Sequence, residues 1–276
     1  MPANVVKAME ALSKHRLIDM GQYSESYKIG INSVGAAFEE YVKDLLTGRF
    51  YPAPHERTQA FSNEYSWLGN QNFPPDAIAT GGDAFEIKKH EKPTTAIALN
   101  SSHPRDVLSR NDPMLTSECR GKIGNVPLDL FYIVGTVPNG VARSIYFVQG
   151  KCYAASSSIY QSISSRLSDA VRKAMRESGL QYSETRELGR INRADPLGRA
   201  SLRVRGMWQI MDPSRAFADI APPLDGKEFF AYAIMEEGKY NSLASGTTAM
   251  DIKKKKLPSP NNPARLIDAV VMEVSW

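Results

Sequence analysis

The chain has 276 residues, of which 42% are hydrophobic and 23% charged, and a net charge of +4. That balance excludes a disordered chain, and no stretch approaches the roughly 18 unbroken apolar residues of a membrane helix. Cys119 and Cys152 are too few for a disulfide scaffold or a four-cysteine zinc site, so two reduced thiols are expected.

The opening segment "MPANVVKAMEALSKHRL" is mixed and amphipathic, without the apolar run or cleavage site of a signal peptide. A cytoplasmic protein is the expectation. In "NSVGAAFEEYVKDLL", Asn32 or Ser33 can cap a helix, and Val34, Phe38, Tyr41, Val42, Leu45 and Leu46 form one stripe along it. Gly48 should end that helix. "PDAIAT" and "DAFEIKK" read as two strands joined at Gly81-Gly82, and "TTAIALN" as a third. "LDLFYIVGTV", Leu128 to Val137, is apolar enough for a strand covered on both faces. "RSIYFVQGKCYAA" reads as one bent strand or two. Ile159 to Ser178 forms the second clear helix, and "RASLRVRGMWQIM" alternates as a strand. The remainder, including "DIKKKKLPSPNNP", reads as loop-rich with one or two more strands. No repeat or linker divides the chain. The expectation is therefore one domain over 1–276, an α/β fold with a mixed β-sheet flanked by helices. Its core spans about 30–180, and about 181–276 adds recognition and dimer contacts.

The chemistry concentrates in "QNFPPDAIATGGDAFEIKKHE". Alternation along a strand puts Glu86 and Lys88 on one face, with Phe85 and Ile87 on the other. Pro75, which lacks an N–H, suits the entry of the partner strand, and Asp76 follows it. Closing the hairpin brings Asp76 toward Glu86. Two carboxylates that close repel unless a cation separates them, and Mg²⁺ with oxygen ligands meets that need. Such an ion offsets charge growing on a phosphoryl oxygen, and Lys88 can orient a water. The set suits hydrolysis of a phosphodiester. On the helix upstream, Glu39 lies at the margin of the apolar stripe, placed to reach the cleft, while Glu40 points to water.

Pro75-Asp76 followed by Glu86-Ile87-Lys88 resembles the PD-(D/E)xK nuclease superfamily, and Gly35 and Glu39 match the Gly-x3-Glu pattern of its first core helix. More narrowly, "FEEYVKDLL", "WLGNQNFPPDAI", "GGDAFEIKK" and "ALNSSHP" are similar to the NgoPII family of Type II restriction endonucleases. The resemblance implies a restriction-endonuclease-like core and a Mg²⁺-dependent homodimer. It also implies cutting of both strands of double-stranded DNA at a short palindrome, with GGCC the family type's target. It makes Asp76 and Glu86 metal ligands, Lys88 the residue that positions the attacking water, and Glu39 a further carboxylate at the metal. Lys89 and His90 go beyond the motif; they touch a phosphate or form the strand's outer edge.

Base reading calls for Arg at guanine and Asn or Gln at adenine. Between Arg186 and Arg215 stand seven arginines and three acids. Arg199, Arg203 and Arg205 are candidates there, the last two on one strand face. Asn70, Gln71 and Asn72 are candidates for the backbone or minor groove, as are Asn100, Ser101 and Ser102 for phosphates or bases. Lys253 to Lys256 either contact the DNA backbone or solubilise a loop. Two other functions fit the same residues: a repair or junction-resolving nuclease, and a DNA-binding protein whose carboxylates only cap a hairpin.

Overall fold

The computed structural model describes residues 2–29, 33–70, 73–93, 96–179, 182–183, 187–243 and 250–276. Four helices come first. Helix α1 is Val5–Lys14, capped by Asn4, whose side chain accepts the Lys7 N–H at 3.0 Å. Helix α2 is Met20–Ser26, α3 is Val34–Thr47 and α4 is Pro54–Glu64. Helix α3 starts where Ser33 accepts from the Ala36 N–H, and it ends at Gly48, whose φ of 77° is the left-handed cap expected of glycine.

Strands β1 Tyr65–Asn70, β2 Phe73–Ala79 and β3 Ala84–His90 follow, then β4 Ile97–Asn100 and β5 Val107–Leu108. After the short helix α5 Ser117–Gly121 come β6 Leu128–Thr136 and β7 Ser144–Gln149. Helices α6 Gly150–Tyr153 and α7 Ser157–Glu177 precede β8 Tyr182–Ser183, β9 Gly189–Ile191, β10 Leu202–Val204 and β11 Trp208–Ile210. The chain closes with α8 Pro213–Ala216, β12 Phe230–Glu236, α9 Glu237–Leu243, β13 Ile252–Ser259 and β14 Asn262–Ser275.

Two compact units result: Met1–Ile97, Arg105–Ala154 and Met211–Trp276 form one, and Ala98–Pro104 with Ala155–Ile210 the other. The first holds a nine-stranded mixed sheet in the order β1-β2-β3-β6-β7-β12-β14-β13, with β5 paired to β6. The β3–β6 and β7–β12 pairs are parallel; the others are antiparallel. Apolar residues alternate between two cores. Phe85, Ile87, Ile145 and Phe147 pack with α1 and α3, whereas Tyr146, Val148, Tyr232 and Ile234 pack beneath Phe217. Helix α3 sits close on the sheet because position 135 is glycine. A Cβ there would lie 2.1 Å from Cζ of Phe38.

In the second unit, β10-β9-β8 form a three-stranded sheet and β11 pairs with the strand β4. One face of α7 packs on β9 through Val171 and Met175, while Ile159, Ile163 and Leu167 are exposed. Among the described residues no helix is long and apolar enough to cross a membrane. Cys119 and Cys152 are buried free thiols.

Four local expectations need correction. "RSIYFVQGKCYAA" is a strand only to Gln149; Gly150 then opens a helical turn where a Cβ would strike the Asp106 carbonyl oxygen at 2.4 Å. "RASLRVRGMWQIM" divides at Arg205–Met207 into β10 and β11, which belong to different sheets. The C-terminal part supplies three long strands, and the Lys253–Lys256 run lies in strand β13 at the sheet's end. Lastly, β2 begins at Phe73, before Pro74 and Pro75. The β1–β2 register shifts between Leu68 and Asn70, opposite these prolines, so no regular ladder there demands their missing N–H groups.

Candidate active site

The β2–β3 hairpin turns at Gly81, whose φ is 67°, and pairs Ile78 with Ala84 and Ala77 with Phe85. Continued by one step, that register sets Asp76 opposite Glu86. There the backbone ladder stops and a side chain takes over. Asp76 Oδ2 accepts the Ile87 N–H at 2.6 Å. The carboxylate thereby replaces a strand carbonyl and is fixed on the same face as Glu86 and Lys88.

Lys88 Nζ lies 2.6 Å from Glu86 Oε1 and 3.6 Å from Asp76 Oδ2. One ammonium therefore stands between two carboxylates, all three mostly buried. Burial, then the neighbouring Glu86, raises the Asp76 carboxyl to about 7. Burial alone would lower the Lys88 ammonium, but Glu86 and then Asp76 carry it above its ordinary value. Asp76 and Lys88 both feel the charge of Glu39. The helix carboxylate thus belongs to the same electrostatic cluster.

Glu39 is held by Lys43, whose buried ammonium lies 2.6 Å from Glu39 Oε1 and 2.9 Å from Glu40 Oε1. Glu40 does not point to water as its helix position suggested. It also meets Arg57 Nη1 at 2.6 Å, because α4 brings that guanidinium against α3. Behind it, Arg57 Nε bonds Asp44 Oδ1 at 3.0 Å, and the Tyr23 hydroxyl donates to Asp44 Oδ2 at 2.5 Å. Sequence spacing could have found Lys43, at i+3 and i+4 from the two glutamates. Nothing local points to Arg57.

The donor set fits a hard divalent ion. Two mostly buried carboxylates share a face, and their mutual repulsion is relieved only in part by one lysine. Among the described residues no three His, Cys, Asp or Glu side chains gather into a protein-only cage. An ion held by Asp76 and Glu86 would keep positions for water and phosphate, as Mg²⁺ does.

The geometry can be set beside known proteins. A model of the family described as NgoPII restriction endonuclease matches residues 3–262. The chain belongs to the NgoPII restriction endonuclease family. It is 38% identical over 274 residues to the Type II restriction enzyme NgoPII of Neisseria gonorrhoeae, covering 96% of this chain and 97% of that protein. No solved structure matches. The mixed sheet flanked by helices is consistent with a restriction-endonuclease-like core, and the family makes the chain a site-specific deoxyribonuclease.

Several other candidates of this restriction endonuclease fall elsewhere. Lys89 faces away from Lys88 and pairs with Glu91 at 3.0 Å. His90 shares the Lys88 face, its Nε2 lying 3.2 Å from Asp212 Oδ2 and 3.1 Å from Thr136 Oγ1, and burial lowers its pKa. It ties β3 to β6 and to the start of α8, a contact that no local spacing signals. Asn70 ends β1, and Gln71 and Asn72 lie outside the described residues.

In the second unit, Asn100 and Ser101 are exposed at the end of β4, with Asn100 at φ 53°. The Ser102 N–H bonds the Leu99 carbonyl at 3.1 Å, and Ser102 is half-buried. Arg199 is exposed before β10, not in a strand. Arg203 and Arg205 do share a side, and both bond Glu187. In the first unit, Lys253, Lys254 and Lys256 pair with Glu273, Glu237 and Asp268.

Proposed function

We propose that this restriction endonuclease acts as a Type II enzyme. It hydrolyses one phosphodiester in each strand of double-stranded DNA at a short palindrome, with Mg²⁺, as a homodimer in the cytoplasm. The convergence of Asp76, Glu86 and Lys88 on one sheet face is the observation that carries this reading. GGCC is the site that the family resemblance suggests. A two-fold dimer matches a palindrome because each protomer then faces one strand.

Asp76 and Glu86 would hold the metal, with Glu39 at its margin. When bound, the ion offsets the charge that grows on the phosphoryl oxygens. Lys88 would share the two carboxylates with such an ion and would pair with them less tightly. Its ammonium then orients a water toward phosphorus and opposes the charge of the phosphorane. The Ile87 N–H holds the Asp76 carboxylate so that it does not swing away when Lys88 shifts. Lys43 does the same for Glu39.

Over 1–276 the chain works as one endonuclease, its C-terminal third contributing strands of the central sheet as well as recognition. Asn100, Ser101, Ser102 and the arginines Arg199, Arg203 and Arg205 face DNA in this reading, as do Asn70, Gln71 and Asn72; Lys89, on the face opposite Lys88, is left out of the contact at the cut.

Digestion of plasmid DNA with Mg²⁺, followed by sequencing of the fragment ends, tests the whole reading. Discrete ends at one palindrome are expected, and Asp76→Ala should abolish cutting while leaving DNA binding largely intact. Wild-type rates in that variant would remove Asp76 from the site.

A further inference from the structure

The second compact unit, Ala98–Pro104 with Ala155–Ile210, contains ten Arg or Lys and five Asp or Glu, an excess of +5 against +4 for the whole chain. All of the protein's surplus positive charge therefore belongs to this unit. Its three-stranded sheet shows where some of that charge is displayed.

Strands β9 and β10 pair antiparallel, with Leu202 opposite Ile191, Arg203 opposite Arg190 and Val204 opposite Gly189. The Gly189 side packs on α7. A Cβ at Gly189 would lie 2.5 Å from Met175 Sδ and 2.8 Å from Val171 Cγ1. Alternation turns Arg190 and Arg203 to the other face, directly across from one another. Like charges so placed destabilise a strand pair. Glu187 offsets part of this repulsion from within the chain, and an anionic partner would offset the rest. Arg190 also has a buried Nε without a hydrogen-bond partner among the described residues.

Glu187 organises the face. Arg203 Nε lies 3.0 Å from its Oε1 and 3.1 Å from its Oε2, and Arg203 Nη2 lies 2.5 Å from Oε1. Arg205 Nε reaches the same Oε1 at 2.6 Å. The Glu187 side chain is 15% exposed, the two arginines 49% and 50%, so the carboxylate sits beneath the guanidiniums it holds. Hydrogen bonds from Arg203 first, and Arg205 as well, hold the Glu187 carboxyl down to about 2. It stays ionised throughout any working range.

The edges used decide what remains available. Glu187 occupies the Nε/Nη2 edge of Arg203 and the Nε of Arg205. A guanidinium has five N–H donors in a fixed fork. Among the described residues the outer Nη1/Nη2 edge of each arginine is thus left to bond two acceptors side by side, the arrangement that guanine O6 and N7 present in the major groove. That groove admits β-strands, and β10 with Arg203 forms one edge of the three-stranded β10-β9-β8 sheet. We propose that Glu187 is a positioning residue that presents Arg203 and Arg205, flanked by Arg190, as the guanine-reading face of the β9–β10 strand pair. The proposal rests on the endonuclease reading above and adds the element and chemistry by which the site is recognised.

The experiment compares wild type, Glu187→Gln and Arg203→Lys on duplexes containing the mapped site, single-base variants of it, and the site with 7-deazaguanine in place of each guanine in turn. The readout is kcat and KM for each duplex. The wild type should lose about 5- to 100-fold in kcat/KM when the N7 read by the strand pair is removed. Both variants should lose on the native site by a similar factor, show little further loss on the deaza duplex, and discriminate less against single-base variants. Arg203→Lys keeps the charge while removing the fork, so it separates guanine reading from attraction to phosphate, which would fall evenly on all sequences. Variants that keep full discrimination, or weaken evenly on every duplex, overturn the proposal while site-specific cutting by the wild type upholds the endonuclease reading. A wild type that cuts no DNA overturns that reading instead.

Discussion

Replacing Asp76 with Asn should stabilise the metal-free fold while abolishing cleavage. In the chelated protein, burial and then Glu86 raise the Asp76 carboxyl from an ordinary 3.8 to about 7. A rise of about three units disfavours the ionised native state by about 4 kcal/mol once the pH exceeds 7. Asparagine removes that charge and keeps an oxygen for the Ile87 N–H, but forfeits the Lys88 contact at 3.6 Å. A net gain on the order of 2–3 kcal/mol remains, which for a chain this size raises Tm by roughly 4–6 °C.

The sign fixes the pH dependence. A carboxyl whose folded pKa is raised contributes stability that is fully present below its unfolded value and lost as pH rises through the folded one. Wild type and variant should therefore converge toward pH 4 and separate above pH 7. Calorimetry in chelator at pH 5 and pH 8 measures both points. Mg²⁺ should then raise the wild-type Tm and leave that of the variant unchanged. A variant that melts at or below wild type at pH 8 in chelator, or a gap indifferent to pH, would refute the account of two carboxylates held apart by one lysine.

Gly135→Ala should cost about 2–4 kcal/mol in urea titrations, because the new methyl meets the Phe38 ring and α3 must lift. The lifted helix carries Glu39 with it, so cutting should fall further than stability alone explains. Lys43→Met leaves Glu39 and Glu40 without their shared ammonium. A loss of about 2–3 kcal/mol is expected by the same titration, with activity only partly restored at higher Mg²⁺. Replacing Lys254 and Lys256 with Ile uncovers the terminal strand β13. Light scattering should show concentration-dependent association without a change in cutting at low protein concentration.

Much of the candidate site is legible because its rules are local. Ser33 and Gly48 bound α3, and the glycine turn sets the β2–β3 register. Strand alternation sends Phe85 and Ile87 into the core and leaves Glu86 and Lys88 together. The failures share a cause as well. β13 escapes a reading of the sequence because four consecutive lysines on a terminal strand leave no apolar alternation. A helical wheel sends Glu40 to solvent because it contains only one helix, and Arg57 arrives from another. Glu187 fell within an arginine-rich window, but its hold on two of those arginines depends on a chain path that spacing does not show.

The amino-acid order alone determined which side chains could share a face, since a strand's two-residue period and a helix's 3.6-residue period are properties of the backbone. Whether those side chains meet was decided by tertiary structure. Asp76 reaches Glu86 and Lys88 because the β2–β3 ladder ends after Ala77 and the carboxylate itself takes the next strand N–H. Glu39 joins them because Phe38 settles on a strand position without a side chain. Such distances are set by packing between segments far apart in the chain, where close contact excludes all but a few arrangements.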